Sequence, residues 1–168
     1  MPDRSSSRED IVSRFIDLAS DIEVAMLTTV SSDHSLHSRP MLTLKPITLQ
    51  ELWFFTRADS TKAEEIERQR QVALTFSNPV RHRYVAVSGQ AAILRDDQKA
   101  RELWVPIAAL WFPGGPEDTH LRLLRVNPRT IEYWDAEEKR MKVLFDAARA
   151  AFGAPTPPPA NEPTRIEL

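Results

Sequence analysis

Apolar positions recur at helical spacing at the start of the chain and then switch to a period of two. Ile11, Phe15, Leu18 and Ala19 share one face of a predicted amphipathic helix over residues 8–19, behind a serine-rich cap. The apolar run EVAMLTTV (23–30), the polar turn SSDHS and the returning segment LHSRPMLTL (36–44) predict a β-hairpin. In its second arm His37, Arg39, Met41 and Thr43 lie on one face. LWFFT (52–56) predicts a third strand, a short helix begins at Ser60, and VALTFS (72–77) predicts the next strand. YVAVSGQAAIL (84–94) alternates along its length. Val85, Val87, Ala91 and Ile93 face one way and Tyr84, Ser88 and Gln90 the other, which predicts core on one side and a wetter surface on the other.

Between 97 and 112, Ala100, Leu103, Trp104, Ile107, Ala108 and Trp111 keep a helical stripe that Pro106 must kink or divide, and FPGGPED ends it. LRLLRV (121–126) and TIEYW (130–134) read as two strands hinged by Asn127-Pro128. Residues 141–152 predict a last helix, closed by Gly153. The tail over 154–168 holds five of the thirteen prolines and is expected to be disordered. This order predicts a single domain over 1–153, mainly β with peripheral helices, and favours a small barrel over a doubly wound sheet.

Composition narrows the classes of function. A chain of 168 residues with 42% hydrophobic content suits one full-sized core. Its 22 basic and 24 acidic residues nearly cancel and the basic ones are dispersed, which argues against a nucleic-acid or anionic-membrane surface and for small molecules. The absence of cysteine excludes disulfides, a thiolate nucleophile and a cysteine-type zinc site. His34, His37, His82 and His120 show no paired metal-ligand spacing, and neither a P-loop nor a G-x-S-x-G elbow occurs. With no apolar signal region at the start and no run of membrane-spanning length, a cytoplasmic location is expected.

The candidate chemistry centres on Ser60-Thr61-Lys62, where the short helix opens. Thr61 and Glu64 have the spacing of a capping box, and Ser60 could equally be the N-cap. Lys62 is harder to explain by capping, because the helix dipole disfavours a first-turn cation by a few tenths of a kcal/mol, roughly. Free helix amides, hydroxyls and a lysine together suit a phosphate. Arg39 precedes Pro40 within a strand, so that strand lies at an edge, at a bulge or against a ligand; a surface ion pair and a ligand contact both account for the arginine. Trp111, in Trp111-Phe112-Pro113-Gly114-Gly115, reads either as a helix end packed on the core or as an aromatic wall beside a turn. Trp134 follows Tyr133 at a strand end, where its face could stack on a ligand ring or a partner subunit.

In succession, AMLTTV, LHSRPM, LWFFT with S-T-K four residues on, RYVAVSGQA, ELW, WFPGG and LLRVNPRTIEYWD resemble the general stress protein 26 group of the pyridoxamine 5'-phosphate oxidase-like flavoproteins. The likeness spans roughly residues 24 to 135, and the ordered series is more specific than any one motif. It implies an FMN-binding split β-barrel that pairs with itself as a homodimer, with FMN, or FAD as the alternative, at the subunit interface. By that resemblance, Phe55-Thr56 and Ser60-Thr61-Lys62 match the segments that hold the flavin phosphate. Arg39-Pro40-Met41-Leu42 matches the stretch along the ring and ribityl chain, and Trp134 matches the tryptophan that reaches the flavin from the other subunit. Tyr84 and Trp111 complete the candidate flavin-binding set, and no metal is expected. The run that holds the substrate phosphate in the oxidases aligns with Arg140-Met141-Lys142 and Leu144, which lack half of that site, so pyridoxamine phosphate oxidation is not expected. A flavin-dependent oxidoreductase of unidentified small-molecule substrate and a flavin-binding carrier or stress sensor without turnover are both compatible with these residues.

Overall fold

The computed structural model describes residues 8–135 and 164–167. Among the described residues, seven strands and three helices follow in the order α1 (Arg8–Ser20), β1 (Val24–Val30), β2 (Leu36–Leu42), β3 (Leu52–Arg57), α2 (Thr61–Arg68), β4 (Gln71–Asn78), β5 (Arg83–Leu94), α3 (Asp97–Glu102), β6 (Leu121–Trp134) and β7 (Thr164–Glu167). All the pairings are antiparallel, in the spatial order β2-β1-β4-β5-β6-β3, with β7 on β6. Just beyond β2, the Leu44 amide donates to the Trp53 carbonyl at 2.9 Å, so the two ends of the sheet approach each other and the sheet curls. The result is mainly β with peripheral helices, as expected. Among the described residues no helix is long and apolar enough to cross a membrane.

The inward faces supply the core. Leu27, Phe54, Leu74, Phe76, Leu124 and Ile131 are fully buried, and α1 seals one end with Phe15 and Leu18. α2 adds Ile66 from its buried stripe. In β5 the expected alternation holds, with Val85, Val87 and Ala91 buried and Ser88 exposed. β2 is an edge strand, which is where Pro40 can sit without breaking a ladder between two neighbours.

Several details depart from the expected elements. The stripe over 97–112 is divided: α3 stops at Glu102, and a 3-10 turn runs over Pro106–Leu110, since a proline cannot continue the hydrogen bonding of a regular helix. Residues 121–134 form one strand rather than two strands hinged at Asn127-Pro128. The register instead slips opposite Ser88 and Gly89, where Arg129 is the extra residue of a bulge between Pro128 and Thr130. Gly89 makes that slip possible, because a Cβ there would lie 2.3 Å from the Asn127 carbonyl oxygen. β2 ends at Leu42, so Thr43 lies just outside it. The tail is described only at 164–167, and those four residues are a strand rather than disordered, since Thr164-Arg165-Ile166-Glu167 follows the last proline and can complete a ladder on β6. The predicted helix over 141–152, Gly153 and the segment Arg140–Leu144 lie outside the described residues.

Candidate functional site

Strand β3 delivers Phe55 and Thr56 to the mouth of a cavity, and the tight connection to α2 places Ser60 directly beside them. Ser60 is the N-cap of α2; its hydroxyl donates to the Arg57 carbonyl at 2.8 Å, accepts from the Ala63 amide at 3.4 Å and lies 3.2 Å from the Thr56 hydroxyl. The Thr61–Glu64 capping box is therefore not used, because Thr61 is already the first helical residue. The amides of Thr61 and Lys62, in the first turn, have no acceptor within the helix.

The cavity has a volume of about 350 Å³. Pro40, Met41 and Leu42 of β2 form one wall with Leu44, while Phe55, Thr56, Arg57 and Lys62 form the floor and its polar end. The opposite wall comes from the 3-10 turn and its exit: Ala108, Trp111 and Phe112. Phe55 braces that wall through a tilted contact with Trp104 and an edge contact with Phe112, at centroid distances of 5.7 and 6.2 Å. Phe112 is the buried member of the aromatic pair, whereas Trp111 is 56% exposed and lines the opening, so it is not packed into the core. The Arg101–Glu117 ion pair ties α3 to the far side of the WFPGG turn.

Electrostatics set the polar end apart. Lys62 is half-buried and pairs with no carboxylate among the described residues, while its ammonium is pushed below the ordinary lysine value by burial and by repulsion from Arg39. Arg57, the other cation at the cavity, is engaged by Asp59 through two contacts of 3.0 and 3.1 Å. Arg39 is not among the residues lining the cavity. Its guanidinium donates to the Thr29 hydroxyl at 2.6 Å and to Glu65 at 2.9 Å. Glu65 is buried at 3% exposure and also accepts from Thr29 at 2.6 Å and contacts His37 Nδ1 at 2.7 Å. Burial pushes its carboxyl upward, and the hydrogen bonds from Thr29, His37 and Arg39 more than offset that, leaving it below the ordinary glutamate range.

The structure thus brings Pro40, Met41, Leu42, Phe55, Thr56, Lys62 and Trp111 to one cavity, with Ser60 and Thr61 at its polar end. It does not bring Tyr84 or Trp134 there. Those two face each other as a cross-strand pair of β5 and β6. Thr56 pairs with Arg122, so Trp134 is twelve residues further along β6, roughly 40 Å of strand path at about 3.3 Å per residue. Sequence reasoning missed Glu65, Leu44, Arg57, Ala108 and Phe112. Only Glu65 left a signal: an acid between Ala63 and Ile66 on the apolar face of a short helix, with His37 and Arg39 on one face of the strand it meets.

Comparison with known proteins places these features in a group. The family described as pyridoxamine 5'-phosphate oxidase like matches residues 10–157. General stress protein 26 from Bacillus anthracis str. Sterne superimposes with a TM-score of 0.63 at 26% identity, covering 73% of this chain and 89% of that one. The general stress FMN/FAD binding protein from Xanthomonas citri gives 0.66 at 25% identity, covering 76% and 89%. A protein from Clostridium acetobutylicum related to general stress protein 26 shares the fold with a TM-score of 0.67 at 20% identity, over 77% and 91%. Protein bli-3 of Neurospora crassa is 27% identical over 110 residues, 61% of this chain and 53% of its own, so the chain spans about half the length of that curated relative. The curled antiparallel sheet is the split β-barrel of these proteins.

Proposed function

Because the chain belongs to the pyridoxamine 5'-phosphate oxidase like family, we propose that it is a flavin-binding protein of the general stress type, holding FMN by its phosphate at the Lys62 end of the cavity. The observation that carries this reading is Lys62 itself: a half-buried cation without a counter-charge among the described residues, at a helix N-terminus whose first amides lack acceptors. A dianionic phosphate would remove the cost of that burial. Lys62 would supply the charge, the Thr61 and Lys62 amides directed donors, and the Ser60 and Thr56 hydroxyls the remaining contacts. The apolar residues Met41, Leu42, Phe55 and Phe112 would flank the rest of the cofactor and exclude water from it. FAD is the alternative cofactor; it carries a second phosphate that this end would also have to accommodate.

The working protein in this reading is a homodimer. The outward face of β1 and β2 pairs Val24 with Leu42 and Met26 with Pro40, and Val24 and Met26 are 48% and 39% exposed. An uncharged patch of this kind suits a two-fold contact. Trp134, remote from its own chain's cavity along β6, would then serve the site of the second copy.

A bound flavin supplies two-electron transfer chemistry, and on the oxidoreductase reading the open wall at Trp111 admits the unidentified substrate. A carrier or stress sensor without turnover is favoured by a different observation: among the described lining residues the only ionisable groups are Arg57 and Lys62, so no carboxylate or imidazole stands ready to move a proton. Anaerobic mixing of the flavin-loaded protein with NADH or NADPH separates the two, since only the oxidoreductase bleaches the flavin faster than free FMN. The binding site is tested by Lys62→Ala. Loss of a charge-assisted contact worth about 1.5–3 kcal/mol weakens FMN by about 10- to 150-fold and leaves riboflavin nearly unaffected. Equal losses for both ligands would make Lys62 structural only.

A further inference from the structure

Strand β6 outruns β3. On one side β5 pairs with it from Leu123 to Trp134, whereas on the other β3 pairs with it only from Leu121 to Val126. Residues 130–133 would therefore present an open sheet edge, and β7 takes it: Thr130 lies opposite Glu167, Ile131 opposite Ile166, Glu132 opposite Arg165 and Tyr133 opposite Thr164. Because β5 already holds the far side of these four residues, β7 lies on the β3 side. Thr, Ile and Tyr favour extended structure, and an open edge built from them invites pairing with another chain. Glu132 adds a charge to the seat, its carboxylate 3.8 Å from the Arg165 guanidinium directly across the ladder.

We propose that residues 130–133 of β6 form a strand-addition site, guarded by the chain's own C-terminal segment and open, when that segment lifts, to the same segment of a second copy. The guard is held lightly. β7 is four residues long, pairs among the described residues with β6 alone, and leaves Arg165 and Glu167 exposed. Arg165 also divides its charge, lying 3.2 Å from Glu167 of its own strand. Residues 136–163 join Asp135 to β7, a length that reaches up to roughly 90 Å when extended at about 3.3 Å per residue, enough to span to another copy. The second copy is the occupant the seat fits, since its segment brings the same register and the same arginine to Glu132, and an exchanged strand loses no contact that the internal one makes. Local concentration on the tether favours the internal strand, and rising protein concentration the exchanged one. The contact is separate from the cavity and from the β1–β2 face, and stands without the flavin reading.

Amide hydrogen exchange on the full chain gives the first test. Those amides of residues 130–133 that point to β7 should exchange about tenfold or more faster than those pointing to β5, because detaching the guard exposes only the former. Equal protection of the two sets overturns the guard. A labelled peptide of residues 161–168 probes the seat: a chain ending at residue 163 should bind it about tenfold or more tightly than the full chain, in which the tether competes. Placing E132R in the shortened chain should weaken the peptide by about 3- to 10-fold, and R165E in the peptide should restore it. Equal binding by the shortened and full chains, or an affinity that E132R leaves unchanged, overturns the seat. For the second copy, full chains carrying E132R and R165E, labelled at their C-termini with donor and acceptor dyes, are mixed. Each variant mismatches its own seat and matches the other's, so energy transfer should exceed that between donor- and acceptor-labelled wild-type chains, and no excess overturns the exchange.

Discussion

Replacing Glu65 with alanine removes a carboxylate that is 3% exposed and leaves three donors, Thr29, His37 and Arg39, facing a gap. Breaking a buried ion pair from one side costs about 3–5 kcal/mol. The Arg39 and His37 side chains keep 23% and 45% exposure, so water compensates in part and the lower end, about 3 kcal/mol, is expected. For a chain of this length each kcal/mol lowers Tm by about 2–4 °C, giving a fall of about 6–12 °C at pH 7. Acid changes the gap in a defined direction. Because the folded carboxyl lies below its ordinary value, its contribution is fully present above the unfolded glutamate pKa of about 4.3 and is lost as pH falls through the folded value. Calorimetric melts of both proteins should show a Tm difference that shrinks as pH falls below about 4. A difference under about 2 °C at pH 7, or one that widens below about pH 4, would refute the account of Glu65.

Two further predictions concern the scaffold and the assembly. Gly89→Ala sets a Cβ against the Asn127 carbonyl oxygen at 2.3 Å and Pro128 Cα at 3.1 Å, both backbone atoms that no rotamer change can move, so β6 must shift at a cost of about 1–3 kcal/mol, read as a lower urea midpoint with an unchanged slope. Trp134→Ala should weaken FMN binding although Trp134 lies off its own chain's cavity; sedimentation should give a dimer mass for the loaded wild type, and a monomer with flavin fully bound would end the two-fold proposal.

Much of this arrangement could be read before any coordinates because it is periodic or local. The alternation of β5 gave its faces, Pro40 narrowed its strand to an edge, a bulge or a ligand contact, of which the structure shows the edge, and Ser60 stood as a candidate N-cap at a strand-to-helix turn. The strand break expected at Asn127-Pro128 failed because proline disfavours a regular ladder locally, whereas Gly89 on the neighbouring strand absorbs the irregularity as a bulge. The role of Arg39 was undecided in the sequence for a similar reason. Its partners, Thr29 and Glu65, are 10 and 26 residues away, and only the packing of α2 against the β1–β2 hairpin joins them. The opposite cavity wall was partly hidden as well: the helical stripe identified Trp111, but the 3-10 turn decides that Phe112 is buried while Trp111 lines the opening.

The central claim is that a flavin phosphate sits against Lys62 at the N-terminus of α2. A crystal structure of the protein with FMN tests it most directly. A phosphate oxygen within hydrogen-bond distance, about 2.7–3.2 Å, of Lys62 Nζ and of the Thr61 or Lys62 amide, with the ring between Met41 and the Trp111 wall, is the result predicted here. FMN bound elsewhere, or in this cavity with its phosphate turned away from Lys62, would contradict it.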